Sequence, residues 1–467
     1  MENIDRKNAV WNVIGASLNA FTSLVFFIIA TRINGSVDAG IFSFAFATAC
    51  IFYVIGIYEG RTFQVTDISK KYSDTDYIYN RIITCIIMML VSVGFVLIKG
   101  YDFSKAIIIL LLSLYKCLEA LSEVYYAIIQ KNKQLYKVGI SMSIKAILSV
   151  VLFFVIDLIT KNLIIASLSI VASNLLFLIV YDLRNIKKIK INKTKYDFKK
   201  IRGIFVVGFF TFILTILSIY LINSSRYAID DLMTEDVQTI FGIILLPGTF
   251  MGLFAQYIIQ PVLTKVADFL EKADYAGIKK LVNKLFLIIL GCSLLVIVLA
   301  YFLEAPVLGM VYGIDLKEYI MPMMVIIFGS IMYSFSIVTS YILIALRKTL
   351  YQVIIYSIAS ITSLVLSYIL VRQIGVLGAS INYLVSMSIV AVSFIVFYYI
   401  TISKKMKMKS IEKNDKEDKK EIDDKKEKIE KEDKKEIEEK IEKKDKIEKK
   451  EKEKIEKKEK KEEKKVK

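Results

Sequence analysis

The sequence predicts an all-α polytopic membrane protein, with about twelve transmembrane helices in two six-helix lobes. Three observations lead there. Hydrophobic residues make up 55% of the 467, with a mean hydropathy of +0.53, and they fall in blocks of about twenty, the length that crosses a bilayer as a helix. Basic residues alternate between connections: about 25 lie in one set of loops (Arg6 and Lys7, Arg61 to Arg81, Lys131 to Lys137, Arg184 to Arg202, Lys265 to Lys284, Arg347 and Lys348) and about 7 in the other (Arg32, Lys99, Lys105, Lys161, Arg226, Lys317, Arg372). That bias places both termini in the cytoplasm, which requires an even number of spans. Finally, short segments recur in the same order in both halves of the chain.

The N-terminal lobe, residues 1–182, takes the spans 8–31, 38–59, 79–98, 105–129, 137–157 and 162–182. The start, Met1 to Asn8, is too polar, and the run Ala9 to Ala30 too long, for a cleaved signal peptide. The first span has Asn12, Gly15, Asn19 and Ser23 on one face, either a packing surface or a polar wall for a hydroxyl-rich cargo. The second ends at Glu59 and Arg61, an interfacial cap or part of an inner gate. The fourth holds Ser113, Lys116, Glu119, Glu123 and Gln130 at helical spacing, so they form one polar stripe, and Lys145 lies mid-span in the fifth. Charges at such depth are costly and face a bundle interior or a wet cavity. In one reading Lys116 or Lys145 attracts an anionic group and Glu119 or Glu123 takes up a proton or sodium ion. In the other, the two lysines neutralise the two glutamates between helices. Tyr115, Tyr125 and Tyr126 are either core residues or rings that stack on sugars.

A basic linker, 183–202, follows and reads as an anchor on anionic headgroups. The C-terminal lobe, 203–403, takes the spans 203–224, 238–260, 283–302, 318–345, 351–371 and 376–401. The seventh span carries Thr211, Thr215 and Ser218 on one face. A short charged loop with Arg226, Asp230, Asp231, Glu235 and Asp236 leads into the eighth, which ends at Gln256 and Gln260-Pro261. Its Pro247-Gly248 pair frees backbone groups that neighbouring helices or water must satisfy. The tenth span has only hydroxyls from Ser330 to Ser340, so an ion-coupling site belongs to the first lobe. Across the outer mouth, Arg226, Asp230 and Asp231 are expected to face Arg32 and Asp38. From 404 to 467 the chain is almost wholly Lys, Glu, Asp and Ile and cannot make a core. It reads as a cytoplasmic tail, flexible or a solvated helix with i,i+4 pairs, dispensable for transport.

The two halves look related. Lys133-Gln134-Leu135-Tyr136-Lys137-Val138 matches Lys348-Thr349-Leu350-Tyr351-Gln352-Val353. Ala166-Ser167 matches Ala379-Ser380, and Gly40-Ile41-Phe42 matches Thr239-Ile240-Phe241. Six spans per half give both repeats the same orientation, so the pseudo-two-fold axis runs along the membrane normal, with a central site between lobes.

The composition excludes several chemistries. With no histidine, no Ser-His-Asp relay and no imidazole metal site can be built. The four cysteines (Cys50, Cys85, Cys117, Cys292) all sit in apolar blocks without metal or disulfide spacing. The net charge of +17 follows from topology, and no nucleic-acid partner is expected.

The run Ser225-Arg226-Tyr227-Ala228-Ile229-Asp230, followed by Pro247 and Pro261-Val262-Leu263, resembles the second-half gate region of bacterial oligosaccharide flippases (O-antigen-type, Wzx-like) in the multidrug/oligosaccharidyl-lipid/polysaccharide exporter superfamily. The resemblance runs from Asn8 to about Ser403. It implies a non-enzymatic flippase of the bacterial cytoplasmic membrane that moves undecaprenyl-pyrophosphate-linked oligosaccharide, with no cofactor beyond a coupling ion, H+ or Na+. It implies membrane lipids and polysaccharide polymerase machinery as partners. By the same resemblance Arg32, Glu59, Arg61, Arg226, Tyr227, Asp230, Asp231 and Gln256 belong to the gates, and Asn12, Asn19, Lys116, Glu119, Glu123, Lys145, Thr211 and Thr215 to the cavity. Other cargoes of the superfamily (teichoic-acid precursors, lipid II, drugs), a membrane glycosyltransferase or polymerase, and a scaffold that docks partners through its tail are the alternatives. The family's second span ends in more glycine than Tyr58-Glu59-Gly60 supplies, and the Lys/Glu tail is not a family feature.

Overall fold

The computed structural model describes residues 2–58, 60–67, 71–189, 191–192, 194–259 and 262–463. Every regular element among them is helical. Glu59, Gln260 and Pro261 lie outside the described residues.

The helices are α1 (Glu2–Ile57), α2 (Gly60–Thr66), α3 (Asp74–Lys99), α4 (Phe103–Lys131), α5 (Leu135–Thr160), α6 (Leu163–Phe177), α7 (Leu183–Lys187), α8 (Phe198–Leu232), α9 (Glu235–Ile244), α10 (Leu246–Ile259), α11 (Leu263–Glu271), α12 (Tyr275–Leu299), α13 (Ala305–Tyr312), α14 (Ile320–Ala345) and α15 (Thr349–Glu463). Two π-turns, Leu178–Asp182 and Ala300–Glu304, join α6 to α7 and α12 to α13. Among the described residues nine helical stretches are long and apolar enough to cross a membrane. Two of them hold a pair of spans each, bent at Gly35 in α1 and at Ile374-Gly375 in α15. With α4, whose charges keep it out of that set, the spans come to twelve, as the sequence predicts.

Local sequence explains the ends. Ser73 and Asp76 make a capping box for α3, and the carboxylates of Asp102 and Asp197 and the amide oxygen of Asn162 cap α4, α8 and α6. Each supplies an acceptor for first-turn N–H groups that have no partner in the helix. The Pro247-Gly248 pair stands at the start of α10, just after the break at Leu245 that separates it from α9.

Backbone conformation carries the repeat more clearly than sequence does. Left-handed residues end corresponding helices in both halves: Gly100 (φ 64) and Gly313 (φ 75), Lys133 (φ 59) and Arg347 (φ 58), Lys161 (φ 46) and Gly375 (φ 56). The second pair repeats a whole turn, with Lys133 N bonding Gln130 O and Gln134 N bonding Ile129 O, as Arg347 N bonds Ile344 O and Lys348 N bonds Leu343 O. The equivalent of Lys133 is therefore Arg347, one residue earlier than the sequence match to Lys348. Ala166-Ser167 and Ala379-Ser380 are buried in both halves.

In the N-terminal lobe α1 packs closely on α5. A Cβ on Gly15 would lie 2.5 Å from Gly139 O, and one on Gly139 would lie 2.1 Å from Trp11 O. This part of the first span, beside Asn12, is thus a packing surface and not a sugar-facing wall. In the C-terminal lobe α10 packs on α14, with Gly248 against Ser330 and Gly252 against Tyr333.

The chain forms two compact units, 1–272 with 277–399, and 273–276 with 400–467. The second is the helical tail, where Lys440 and Lys446 pair with Glu436 and Glu442 at i,i+4 and Lys409 Nζ bonds Ala273 O at 2.8 Å.

Candidate functional site: a polar cleft in the first lobe and a closed outer interface

The charged stripe of α4 faces a cleft lined by Asn19 from α1, Tyr115, Glu119, Ser122, Glu123 and Tyr126 from α4, Met142 and Lys145 from α5, and Asn174 from α6. Lys116 Nζ bonds Glu119 Oε2 at 2.7 Å on the same helix, and Asn19 Nδ2 bonds Glu119 Oε1 at 3.3 Å. Phe46, Tyr53 and Tyr115 surround the Lys116 ammonium, with ring centroids 5.0–5.4 Å away. Such faces favour a desolvated cation. Glu123 reaches Arg61 of α2 at 3.8 Å, so Arg61 turns toward the first lobe. The cleft is about 20 Å³, room for one or two waters. It fits an ion or a proton and no sugar.

Lys145 departs from both sequence readings. Its ammonium lies 2.5 Å from Asp182 Oδ2, also donates to Ser122 Oγ at 2.7 Å, and pairs with neither glutamate. Asp182 accepts a further bond from Ser141 at 2.6 Å, which in turn meets the Tyr126 hydroxyl at 2.9 Å. Lys145 is therefore neutralised within the lobe and is not available to a pyrophosphate. Tyr126 is likewise a network member, and Tyr115 is buried beside Lys116. Asp182 was missed because it stands where an apolar span meets a basic linker, and so reads as the start of a loop. The π-turn 178–182 keeps it within the helical bundle and fully buried.

The second group of candidates lies where the lobes meet, on the side of the sparse basic loops, which the sequence reading takes as the outer side. Tyr227, Asp230 and Asp231 belong to the last two turns of α8 and not to a loop, and so does Arg226. Arg226 faces neither Arg32 nor Asp38. Its Nη1 donates to Ser43 Oγ at 2.9 Å, its guanidinium lies 5.9 Å from the Phe241 ring, and its Nε has no partner. It is 7% exposed, and no ion pair with a carboxylate holds it among the described residues. Asp230 meets Lys105 at 2.5 Å and Tyr101 at 2.5 Å. Lys105 also meets Glu235 at 2.5 Å. Asp231 meets Lys99 and Tyr368 at 2.5 Å each. The pairing with Arg32 and Asp38 expected from the sequence is not found among the described residues; Asp230 and Asp231 instead pair across the lobes with Lys105 and Lys99, at the start of α4 and the end of α3. Tyr227 sits between Phe44 and Phe95, 5.6 and 6.3 Å away.

Arg32 grips the other lobe differently. It donates to Met310 O and to Val311 O, the latter at 2.8 Å. Both are last-turn carbonyls of α13, where a cation suits the negative end of the helix dipole. Gly313 closes α13 in the left-handed region, and a Cβ there would lie 2.8 Å from Arg32 Nη1. The repeat-related helix starts also meet: a Cβ on Gly40 would lie 1.8 Å from Glu235 O, and Thr239 Oγ1 bonds Ser36 O at 2.5 Å.

Toward the ends that carry the richly basic loops, the two seams between lobes differ. Tyr58 stacks on Phe212 at 4.8 Å and donates to Phe205 O at 2.7 Å, joining the end of α1 to α8. At the other seam Phe21 of α1 meets Phe250 of α10 at 6.0 Å. Beyond that contact Val10, Val13, Ile14 and Leu18 on α1, and Phe254 and Tyr257 on α10, are exposed. Thr211 is exposed, Thr215 bonds its own helix at Thr211 O, and Gln256 is half-buried on α10.

No family model matches the chain. Among curated proteins it is similar to the capsular polysaccharide biosynthesis protein CapF of Staphylococcus aureus, 27% identical over 395 residues that cover 84% of this chain and 98% of that protein. Among solved structures it is similar to a multidrug resistance MATE family transporter of the MOP superfamily in an inward-facing conformation, with a TM-score of 0.65 at 12% identity over 85% of this chain and 99% of that one. It is also similar to the Vibrio cholerae MATE transporter VcmN in its bent form, with a TM-score of 0.56 at 12% identity over 86% and 98%. These likenesses bear out the resemblance to the exporter superfamily, and the fold is that of its multi-pass membrane transporters.

Proposed function

We propose that the chain is a flippase that carries undecaprenyl-pyrophosphate-linked oligosaccharide from the cytoplasmic to the outer leaflet of a bacterial cytoplasmic membrane, for surface polysaccharide synthesis. The observation that supports this most is the asymmetry of the lobe interface. The outer end is held by charged pairs, while the α1–α10 seam presents exposed apolar rows toward the cytoplasmic leaflet. A lipid-linked substrate needs such a seam, because its isoprenoid chain stays in the bilayer while its charged head crosses. A soluble cargo has no use for one. The name of the similar staphylococcal protein, a capsular polysaccharide biosynthesis protein, agrees with this cargo.

Arg226 supplies a buried cation with no counter-charge among the described residues at the ceiling of the path, suited to a pyrophosphate that would complete its hydrogen bonds. Lys116, caged by aromatic rings, is held by Glu119 and positions that carboxylate. Glu119 and Glu123 line a cleft of proton or ion size and are the coupling candidates, H+ or Na+. Rocking of the lobes opens the outer pairs and exposes the head to the other leaflet. Polymerase machinery on the outer face would receive the product.

Complementation of a flippase-deficient host with a matched donor pathway tests the reading. Full-length protein is expected to restore surface polysaccharide, and stable, membrane-inserted Arg226→Ala or Lys116→Ala to restore little. Lipid-linked precursor that accumulates despite wild-type protein contradicts it.

A further inference from the structure

Glu304 stands outside everything described so far. It is an acid within the α12–α13 span, 8% exposed, and neither carboxyl oxygen has a hydrogen-bond partner among the described residues. It ends the π-turn Ala300–Glu304. That turn re-aims the helix: Tyr301, Phe302 and Leu303 are exposed, while Glu304 and Ala305 are buried. Insertions of this kind recur at functional positions in helices. One turn earlier Ala300 packs with Met251, Met324, Ile327 and Ile331, so the acid enters an apolar wall. The elements packed on it offer no counter-charge. Neither α13 nor α14 holds an acidic or basic residue, and their titratable groups are Tyr312, Tyr333 and Tyr341. The cations of α12, Lys279, Lys280 and Lys284, lie at its opposite end.

The acid is joined to the outer closure through α13. Between Glu304 and the C-cap Gly313 there is about 14 Å of helix rise. At that end Arg32 holds the Met310 and Val311 carbonyls, and Tyr312 packs on Phe27 of the first lobe at 5.2 Å. The pose of α13 therefore depends on the π-turn at one end and on the lobe contact at the other.

We propose that Glu304 is a proton-binding site of the second lobe, which links outer pH to the opening of the outer interface. In the closed state the unpartnered, apolar surroundings favour the proton-bearing carboxyl over the carboxylate. When the outer interface opens, α13 leaves Arg32 and Phe27 and water reaches the π-turn, so the proton can depart to the outer solution. The closed state then binds one proton more than the open state, and by linkage a higher outer pH favours opening, by up to tenfold per pH unit.

The test uses full-length protein in nanodiscs, with spin labels at the exposed positions Asp38 and Lys317 and the native cysteines replaced by alanine. Distance distributions from about pH 5 to about pH 9 are expected to gain the longer, outer-open population as pH rises. Glu304→Gln, which mimics the protonated acid, should stay closed and lose the pH response. Glu304→Asp, which keeps a titrating group, should retain it. A Glu304→Gln variant with the wild-type pH profile, or a wild-type protein without one, overturns the proposal. A distribution that sodium chloride moves at fixed pH, relative to potassium chloride, overturns it in favour of a cation site. The readout is conformation and not cargo, so it stands or falls apart from the flippase reading.

Discussion

Among single residues, the pair Lys145–Asp182 separates structural from functional charge. Both are buried, they lie 2.5 Å apart, and hydroxyls of Ser122 and Ser141 satisfy their remaining capacity. Removing one partner strands the other charge. Lys145→Met is expected to cost about 3–5 kcal/mol of stability, measured by unfolding in detergent. The double variant Lys145→Met with Asp182→Leu should recover most of that loss, because an apolar pair of similar volume replaces a buried ion pair at little cost. A double variant as unstable as the single one would mean that Lys145 matters for another reason. Sequence spacing singled out Lys145 correctly as an intramembrane charge but not its partner. Helical periodicity joins residues on one helix, whereas Asp182 comes from another helix and from a π-turn that a 3.6-residue period does not anticipate. Arg226 shows the reverse: the motif marked it, but nothing local foretold that it would sit in the helix, turned to Ser43 and Phe241.

The outer closure belongs to the scale of elements. The end of α8 and the start of α9 bring acids, and the α3–α4 connection brings Lys99 and Lys105. The pairs are unequal. Lys105–Asp230 is buried, with side chains 5% and 0% exposed, while Lys99–Asp231 is 26% and 32% exposed and will be screened by salt. Lys105→Glu, which places a third acid beside Asp230 and Glu235, is expected to raise labelling of an introduced Ser36→Cys from the outer side several-fold. Adding Asp230→Lys should restore part of the protection. Unchanged labelling in Lys105→Glu would remove the α3–α4 connection from the closure. The helices themselves were legible from hydropathy, and so was their number, because blocks of twenty apolar residues have few other uses. Their division at Gly35 and at Ile374-Gly375, where the backbone leaves the helical region, was legible as well, because each break falls between two apolar blocks. The repeat was legible only in part. Its strongest signature is conformational, in left-handed residues such as Lys133 and Arg347, and their identities are free to differ.

As a whole, the two lobes meet through charged pairs at one end and leave an apolar seam between α1 and α10 toward the other. The tail is almost wholly Lys, Glu, Asp and Ile and its i,i+4 pairs are exposed, so truncation after Ser403 is expected to leave transport intact. The most direct measurement is translocation in proteoliposomes. Purified protein is reconstituted with a fluorescent undecaprenyl-pyrophosphate-linked oligosaccharide, and the label is followed by an impermeant quencher. Full-length and truncated protein should both bring inner-leaflet label to the outside far faster than protein-free vesicles, and Arg226→Ala should slow it by at least tenfold. Folded wild-type protein that leaves the inner-leaflet label at the spontaneous rate, with a matched oligosaccharide and an imposed ion gradient, would contradict the account.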